Sequence, residues 1–180
     1  YKRQHYTRYG SSSNSLSHTS ILSLHKDMQG NIWVGTYYGG VNVFNPDKNN
    51  HSFYCAEPLR EDCLSFPVVG KMTEDSVGNV WICTEGGGLN CYHGDTGVFS
   101  RYMYQKGDQS TLGSNNVKSV FYRKENNRLY AGTHLGGLFV LDLKSNKGHT
   151  LHHVTGDPAS LPHEIVNDIQ EYNCLLYTSP

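Results

Sequence analysis

The chain has 180 residues, 37% hydrophobic and 12% aromatic, with a formal net charge of −1. That length fits one domain or part of one, and so balanced a charge leaves no electrostatic footprint for nucleic acid. No apolar run is long enough to span a bilayer.

Residues 1–15 are aromatic, basic and Ser-rich and parallel the stretch from Phe99 to Leu112, so they read as the end of a preceding unit. Leu16, Leu64, Leu112 and Leu161 then open successive units at intervals of 48, 48 and 49 residues. Behind each comes a short apolar run: Ile21 and Leu24, Val69 and Met72, Val117 and Val120, Val166 and Ile169. Three aromatic segments follow in the same register, from Asn31 to Thr36, Asn79 to Thr84 and Arg128 to Thr133. Each is trailed by a Gly pair: Gly39-Gly40, Gly87-Gly88 and Gly136-Gly137. A period of that size marks an array of one small unit. The units run over 16–63, 64–111 and 112–160, with 161–173 starting another.

Each unit is expected to hold four short strands, in the first Ser20–Lys26, Asn31–Thr36, Val41–Asn45 and one near His51–Cys55. Turn chemistry separates them. Asp27 to Asn31 and Asp75 to Asn79 offer Asp to start a turn and Gly where φ must be positive. In the third unit Asn127 falls where Gly78 sits, and Asn is the best non-Gly occupant of the left-handed region. Strands two and three are apolar or aromatic on both faces, whereas a strand exposed on one side would alternate. No helical periodicity of useful length occurs.

Four antiparallel strands per repeat, covered on both faces, predict an all-β partial β-propeller: three complete four-stranded blades plus partial blades at each end. A stacked β-solenoid is the competing architecture, but it has shorter periods and needs fewer turns. The paired glycines are read as backbone crowding near the central channel. No Gly-rich loop leads into a helix, so the phosphate-binding motifs are absent.

The run from Gly30 to Thr36, then Gly39-Gly40-Val41 and Phe44-Asn45-Pro46, resembles the two-component regulator propeller repeat, as does Thr111 to Val117. The resemblance extends to about Asn173. Departures are Cys83 where the repeat prefers Gly and Tyr130 where it prefers Trp. WD40 repeats fit less well, since no Trp-Asp pair closes a blade, and kelch repeats place their Gly pair before the aromatic strand. The resemblance implies the periplasmic part of an inner-membrane hybrid sensor histidine kinase, homodimeric, whose propellers detect oligosaccharides and regulate transcription. Its signal peptide, membrane anchor, remaining blades and kinase are then expected outside this chain, which also lacks an initiator Met. The alternative is a propeller serving as a protein-interaction scaffold or as part of a carbohydrate-active enzyme. Three blades alone would leave two faces bare, so low solubility is expected of the isolated piece.

The final residues, 174–180, break the repeat and resemble the translation of a transposase-based sequencing adapter. Cys83 and Cys91 occupy core strand positions and are expected to be buried thiols. The ten His residues are spread over every unit, and His152 and His153 stand side by side on an expected strand, hence on opposite faces. No metal site, cofactor or catalytic residue is expected.

Contacts with a ligand are sought where the repeats disagree. Loops joining strands two and three of each blade share one propeller rim, and there the chain displays Tyr37-Tyr38, Glu85-Gly86 and His134-Leu135. The scaffold is indifferent to these positions, so specificity can be written in them. Sugar rings stack on aromatic faces and their hydroxyls need directional partners. Tyr37, Tyr38, Glu85 and His134 are the candidate contacts for an oligosaccharide.

Overall fold

A computed structural model describes residues 15–172, except 49, 58, 59, 61 and 62, together with 175–179, of which 175–177 are described by their backbone. The expected end of a preceding unit at 1–15 therefore lies outside the described residues except for residue 15, as do 174 and 180 of the final segment.

The repeats fold into successive four-stranded antiparallel meanders. The first contains β1 (Ile21–Lys26), β2 (Ile32–Thr36), β3 (Val41–Asn45) and β4 (Asn50–Tyr54), paired in chain order. The second contains β5 (Val69–Glu74), β6 (Val80–Thr84), β7 (Leu89–Tyr92) and β8 (Phe99–Tyr102). The third contains β9 (Val117–Arg123), β10 (Arg128–Thr133), β11 (Leu138–Asp142) and β12 (Lys147–Leu151). β13 (Asp168–Tyr172) opens the next unit and pairs with β14 (Leu175–Ser179). The expected strands of the first unit are displaced by at most one residue at an end, the ordinary fraying of a strand boundary. All-β blades of a propeller are what the repeat builds.

Successive sheets pack face to face, with the first strands on the inside: β5 lies against β1 and β9, and β9 against β13. Strand alternation then divides the core. Trp33, Val41, Val69, Val80 and Ile82 fill the space between the first two sheets. Trp81, Cys83, Cys91, Leu129, Ala131 and Leu141 fill the next. Tyr130, Leu138, Val140, Val166 and Ile169 fill the third. Neighbours in one strand, Val80 and Trp81 or Leu129 and Tyr130, thus serve different cores, which is why these strands carry no polar face. Burying each such side chain contributes about 1.5–3 kcal/mol.

The turn between the first and second strands is built around an aspartate. Asp27 N donates to Asn31 O at 3.0 Å, and Asp75 N to Asn79 O at 3.0 Å. Both carboxylates also reach the aromatic strand: Trp33 Nε1 donates to Asp27 Oδ2 at 2.8 Å and Trp81 Nε1 to Asp75 Oδ2 at 3.0 Å. The third unit has Lys124 at that position and Tyr130 in place of Trp. There Asn126 Nδ2 donates to Tyr130 Oη at 3.0 Å. The Trp-to-Tyr departure is therefore one half of a paired exchange: without the carboxylate, an indole N–H would be buried unsatisfied. Asn127 takes φ 51° where Gly30 and Gly78 take 84° and 89°, as its place in the turn requires.

A second exchange accompanies the first. Asn42 Nδ2 donates to Ser17 Oγ at 2.7 Å and Asn90 Nδ2 to Ser65 Oγ at 2.8 Å, tying strand three to the connection that opens the unit. In the third unit these places hold Phe139 and Gly113. Phe139 is buried in the core between the second and third sheets.

One local expectation changes and one gains detail. His152 and His153 lie beyond the end of β12 and not on a strand; His152 Nδ1 meets Glu164 Oε2 at 3.2 Å and His153 Nδ1 meets Leu161 O at 2.7 Å. The Gly pairs are crowded as expected, the first Gly by the connection that opens the unit and the second by the end of the fourth strand. A Cβ on Gly40 would collide with Tyr54 O, and one on Gly39 with Ser17 Oγ and His18 Cβ.

Candidate functional site

Each loop between second and third strands is fastened to the next unit's incoming connection. Gly40 N donates to Pro67 O at 3.0 Å, Gly88 N to Asn115 O at 2.8 Å and Gly137 N to Glu164 O at 2.9 Å. Inside the loop, Thr36, Thr84 and Thr133 donate their hydroxyls to the carbonyls of Gly40, Gly88 and Gly137. These bonds set the backbone, and the side chains at the loop tips are left facing outward along one rim.

Tyr37 and Tyr38 form the most exposed aromatic pair on that rim, 44% and 61% accessible. Their rings meet edge to face with centroids 4.6 Å apart. His18 extends the cluster, 6.4 Å from the Tyr37 ring. Tyr38 adopts φ 65°. The same loop position is Gly86 at φ 132° in the second unit and Leu135 at φ 61° in the third. A bulky residue in the left-handed region costs roughly 1–2 kcal/mol, and such strain gathers at ligand sites more than elsewhere.

Glu85 is engaged differently. Lys118 Nζ, from β9, lies 2.7 Å from Glu85 Oε1, and Glu85 forms an isolated antiparallel bridge with Asn116. His134 N donates to the same residue's carbonyl at 2.9 Å. The structure thus brings Tyr37 and Tyr38 together, and links Glu85 to the third unit through Lys118 and Asn116. His134 stands half-buried on its own loop, with Leu135 exposed beside it.

His18 and Lys118 were missed by reading the loops alone. A signal for His18 existed. The equivalent residues of later units are Phe66, Ser114 and His163, as unlike one another as the loop tips are. Their backbone task is similar: His18 Nδ1, Ser114 Oγ and His163 Nδ1 each accept the N–H two residues ahead. Phe66 instead lies against Gly86. Lys118 gave no such signal, since only packing of β9 beside the second blade brings it to Glu85.

Ionisable groups deeper in the fold are poorly suited to chemistry. Burial pushes the Cys91 thiol up to about 12, with Asp75 adding to the rise. Burial also raises Cys83, opposed by Lys71. Both thiols stay protonated and unreactive. Among the described residues, no group of three or more His, Cys, Asp or Glu is placed to hold a metal ion.

The two component regulator propeller family matches at residues 15–38. Among solved structures, the chain is similar to the extracellular domain of BT3049 from B. thetaiotaomicron, described as a hybrid two component system. Identity there is 27% and the TM-score 0.76, over 90% of this chain and 22% of that one. The extracellular domain of BT4673 from the same organism shares the fold at 23% identity and a TM-score of 0.72, over 97% of this chain and 21% of that one. The chain thus spans about a fifth of the length of the structures it matches. No curated protein sequence is a significant match. The chain is a β-propeller segment whose residues 15–38 match the two component regulator propeller repeat.

Proposed function

We propose that the chain is part of the extracytoplasmic sensor propeller of a hybrid two-component signalling protein. The observation that carries this reading is the 27% identity, over 90% of the chain, to the extracellular domain of a hybrid two component system. In this reading the chain does no catalysis; a histidine kinase and a membrane span lie in the rest of a homodimeric inner-membrane protein and act on transcription. The ligand is an oligosaccharide, contacted at the rim by Tyr37 and Tyr38, with Glu85 and His134 as hydrogen-bonding partners further along.

Two measurements test it. Sequencing the parent gene beyond this segment should reveal a membrane span followed by a histidine kinase; a stop codon or a hydrolase domain in that place removes the proposal. Calorimetric titration of the parent's propeller with a panel of oligosaccharides should give heat with at least one. Tyr37→Ala should weaken that binding by roughly tenfold or more, as truncation of an aromatic anchor does. Unchanged affinity sinks the rim site.

Residues 174–180 are proposed to be foreign to this sensor. β14 follows β13 after only two residues, where five separate β5 from β6, so the Asp-to-Asn turn of the first two units has no room there. Strand pairing asks little of side-chain identity, so its pairing with β13 is compatible with foreign origin. Resequencing the source DNA across Asn173 decides the matter, and an uninterrupted genomic read through Pro180 refutes it.

A further inference from the structure

At the rim opposite Tyr37 and Tyr38, the first and second sheets part to leave a cavity of about 220 Å³. One wall owes its shape to missing side chains. Gly78 and Gly94 line it, and they lie so close that a Cβ on Gly94 would stand 2.6 Å from Gly78 O. The corresponding places in the third unit hold Asn127 and Leu143, and Leu143 packs against the core of its own interface. The cavity is therefore a property of these two units and not of the repeat.

Its lining is polar and balanced. The Asp27 carboxylate is buried and held in place by Asn31 N, Asn31 Nδ2 and Trp33 Nε1, each at 2.8 Å. The Tyr54 and Tyr92 hydroxyls meet at 3.1 Å, both residues lining the cavity. Lys48, Asn50 and Ser52 also line it, with Val43 and Val80, and the side chains of those three polar residues have no hydrogen-bond or ion-pair partner among the described residues.

We propose that this cavity binds one neutral sugar ring. Its volume falls below the roughly 300–1,000 Å³ of sites for drug-sized ligands and leaves room for a single pyranose. The carboxylate of Asp27 and the ammonium of Lys48 cancel, so the lining demands no net charge from its occupant. A sugar hydroxyl both donates and accepts. The free amide of Asn50 and hydroxyl of Ser52 do the same, while Lys48 donates. Lys48 and Asn50 stand exposed at the mouth and Ser52 half-buried behind them, so all three can exchange water for the hydroxyls of an occupant. The site is remote from the loop tips, and so stands whether or not the rim binds a ligand.

The test is titration of the chain with D-glucose, D-galactose and D-mannose, followed by calorimetry and by amide NMR shifts over residues 48–54. D-glucuronate and D-glucosamine serve as charged comparators. At least one neutral hexose should bind and move the signals of Asn50 and Ser52. Lys48→Met and Ser52→Leu should each weaken it by about tenfold or more, while Tyr37→Ala leaves it unchanged. Melting curves establish that the variants fold, and where one does not, the other decides. No binding by any of the three hexoses overturns the proposal. So do binding that survives both substitutions, tighter binding of a charged comparator, or binding lost in Tyr37→Ala alone.

Discussion

The exchange of Asp and Trp for Lys and Tyr shows how single residues in this fold are coupled. In the second unit Asp75 accepts from Asn79 N, Asn79 Nδ2 and Trp81 Nε1. Asp75→Ala would leave these three donors and Val77 N short of a partner, one of them in the core. It should cost about 3 kcal/mol or more, whereas Lys124→Ala, at the equivalent exposed place, should change stability by under about 0.5 kcal/mol; urea unfolding of both variants measures the difference. Tyr38 behaves in the opposite sense. Tyr38→Gly relieves the positive φ and should raise stability by up to about 1 kcal/mol, less the entropy that glycine loses on folding. The same substitution removes a proposed ligand contact, so a gain in melting temperature should accompany a loss of oligosaccharide heat. At His25, burial lowers the pKa from its ordinary value against the opposing charge of Asp27. A depressed base binds protons less well folded than unfolded. Its contribution is therefore present above the unfolded value near 6.5 and declines as pH falls below it. Unfolding midpoints between pH 7.5 and 5 should fall more gently in His25→Gln.

At the scale of strands, the period and the turn residues made the architecture legible, because each blade repeats the same accounting of backbone donors. Asn127 in the left-handed turn was readable from one residue. What escaped were relations between units. Lys118 beside Glu85 depends on how β9 lies against the second sheet. The polar cavity depends on Gly94 facing Gly78 across two turns of one blade, against a neighbour whose contribution no single repeat discloses. The crowding of the Gly pairs was legible, although its partners, the ends of the fourth strands, were not, and it can be measured. Gly88→Ala would put a Cβ into the Tyr102 carbonyl at a backbone φ of 76°. It should destabilise by about 2 kcal/mol or more, whereas Gly107→Ala, with a similar φ but nothing near its Cβ, should cost the conformational penalty alone. Paired thermal melts separate the two terms.

For the molecule as a whole, the first sheet presents Ile21, Leu22, Leu24 and Phe53 to solvent, Leu24 at 69% accessibility. Of their equivalents in later units, Val69, Val117, Val120, Val166 and Ile169 are buried and Met72 is half-buried. An open face of this kind promotes self-association. Sedimentation of the isolated chain should show concentration-dependent oligomers, and Leu24→Lys should reduce them without lowering the unfolding midpoint.

The two rims differ in how neighbouring units are joined. On the side of Tyr37, main-chain amides of Gly40, Gly88 and Gly137 grip main-chain carbonyls of the next unit. On the far side the joins are made by side chains: Met28 N to Glu74 Oε2, Tyr122 Oη to Ser76 Oγ, and Arg123 to Glu171. Main-chain joins have no rotamers to yield, while side-chain joins can lengthen by a change of torsion. The sheets are thus bound like pages, with a stiff spine along one edge and a fore-edge along the other that can fan. A molecule seated among Lys48, Asn50 and Ser52 would act as a wedge in that fore-edge, converting its own presence into an angle between blades.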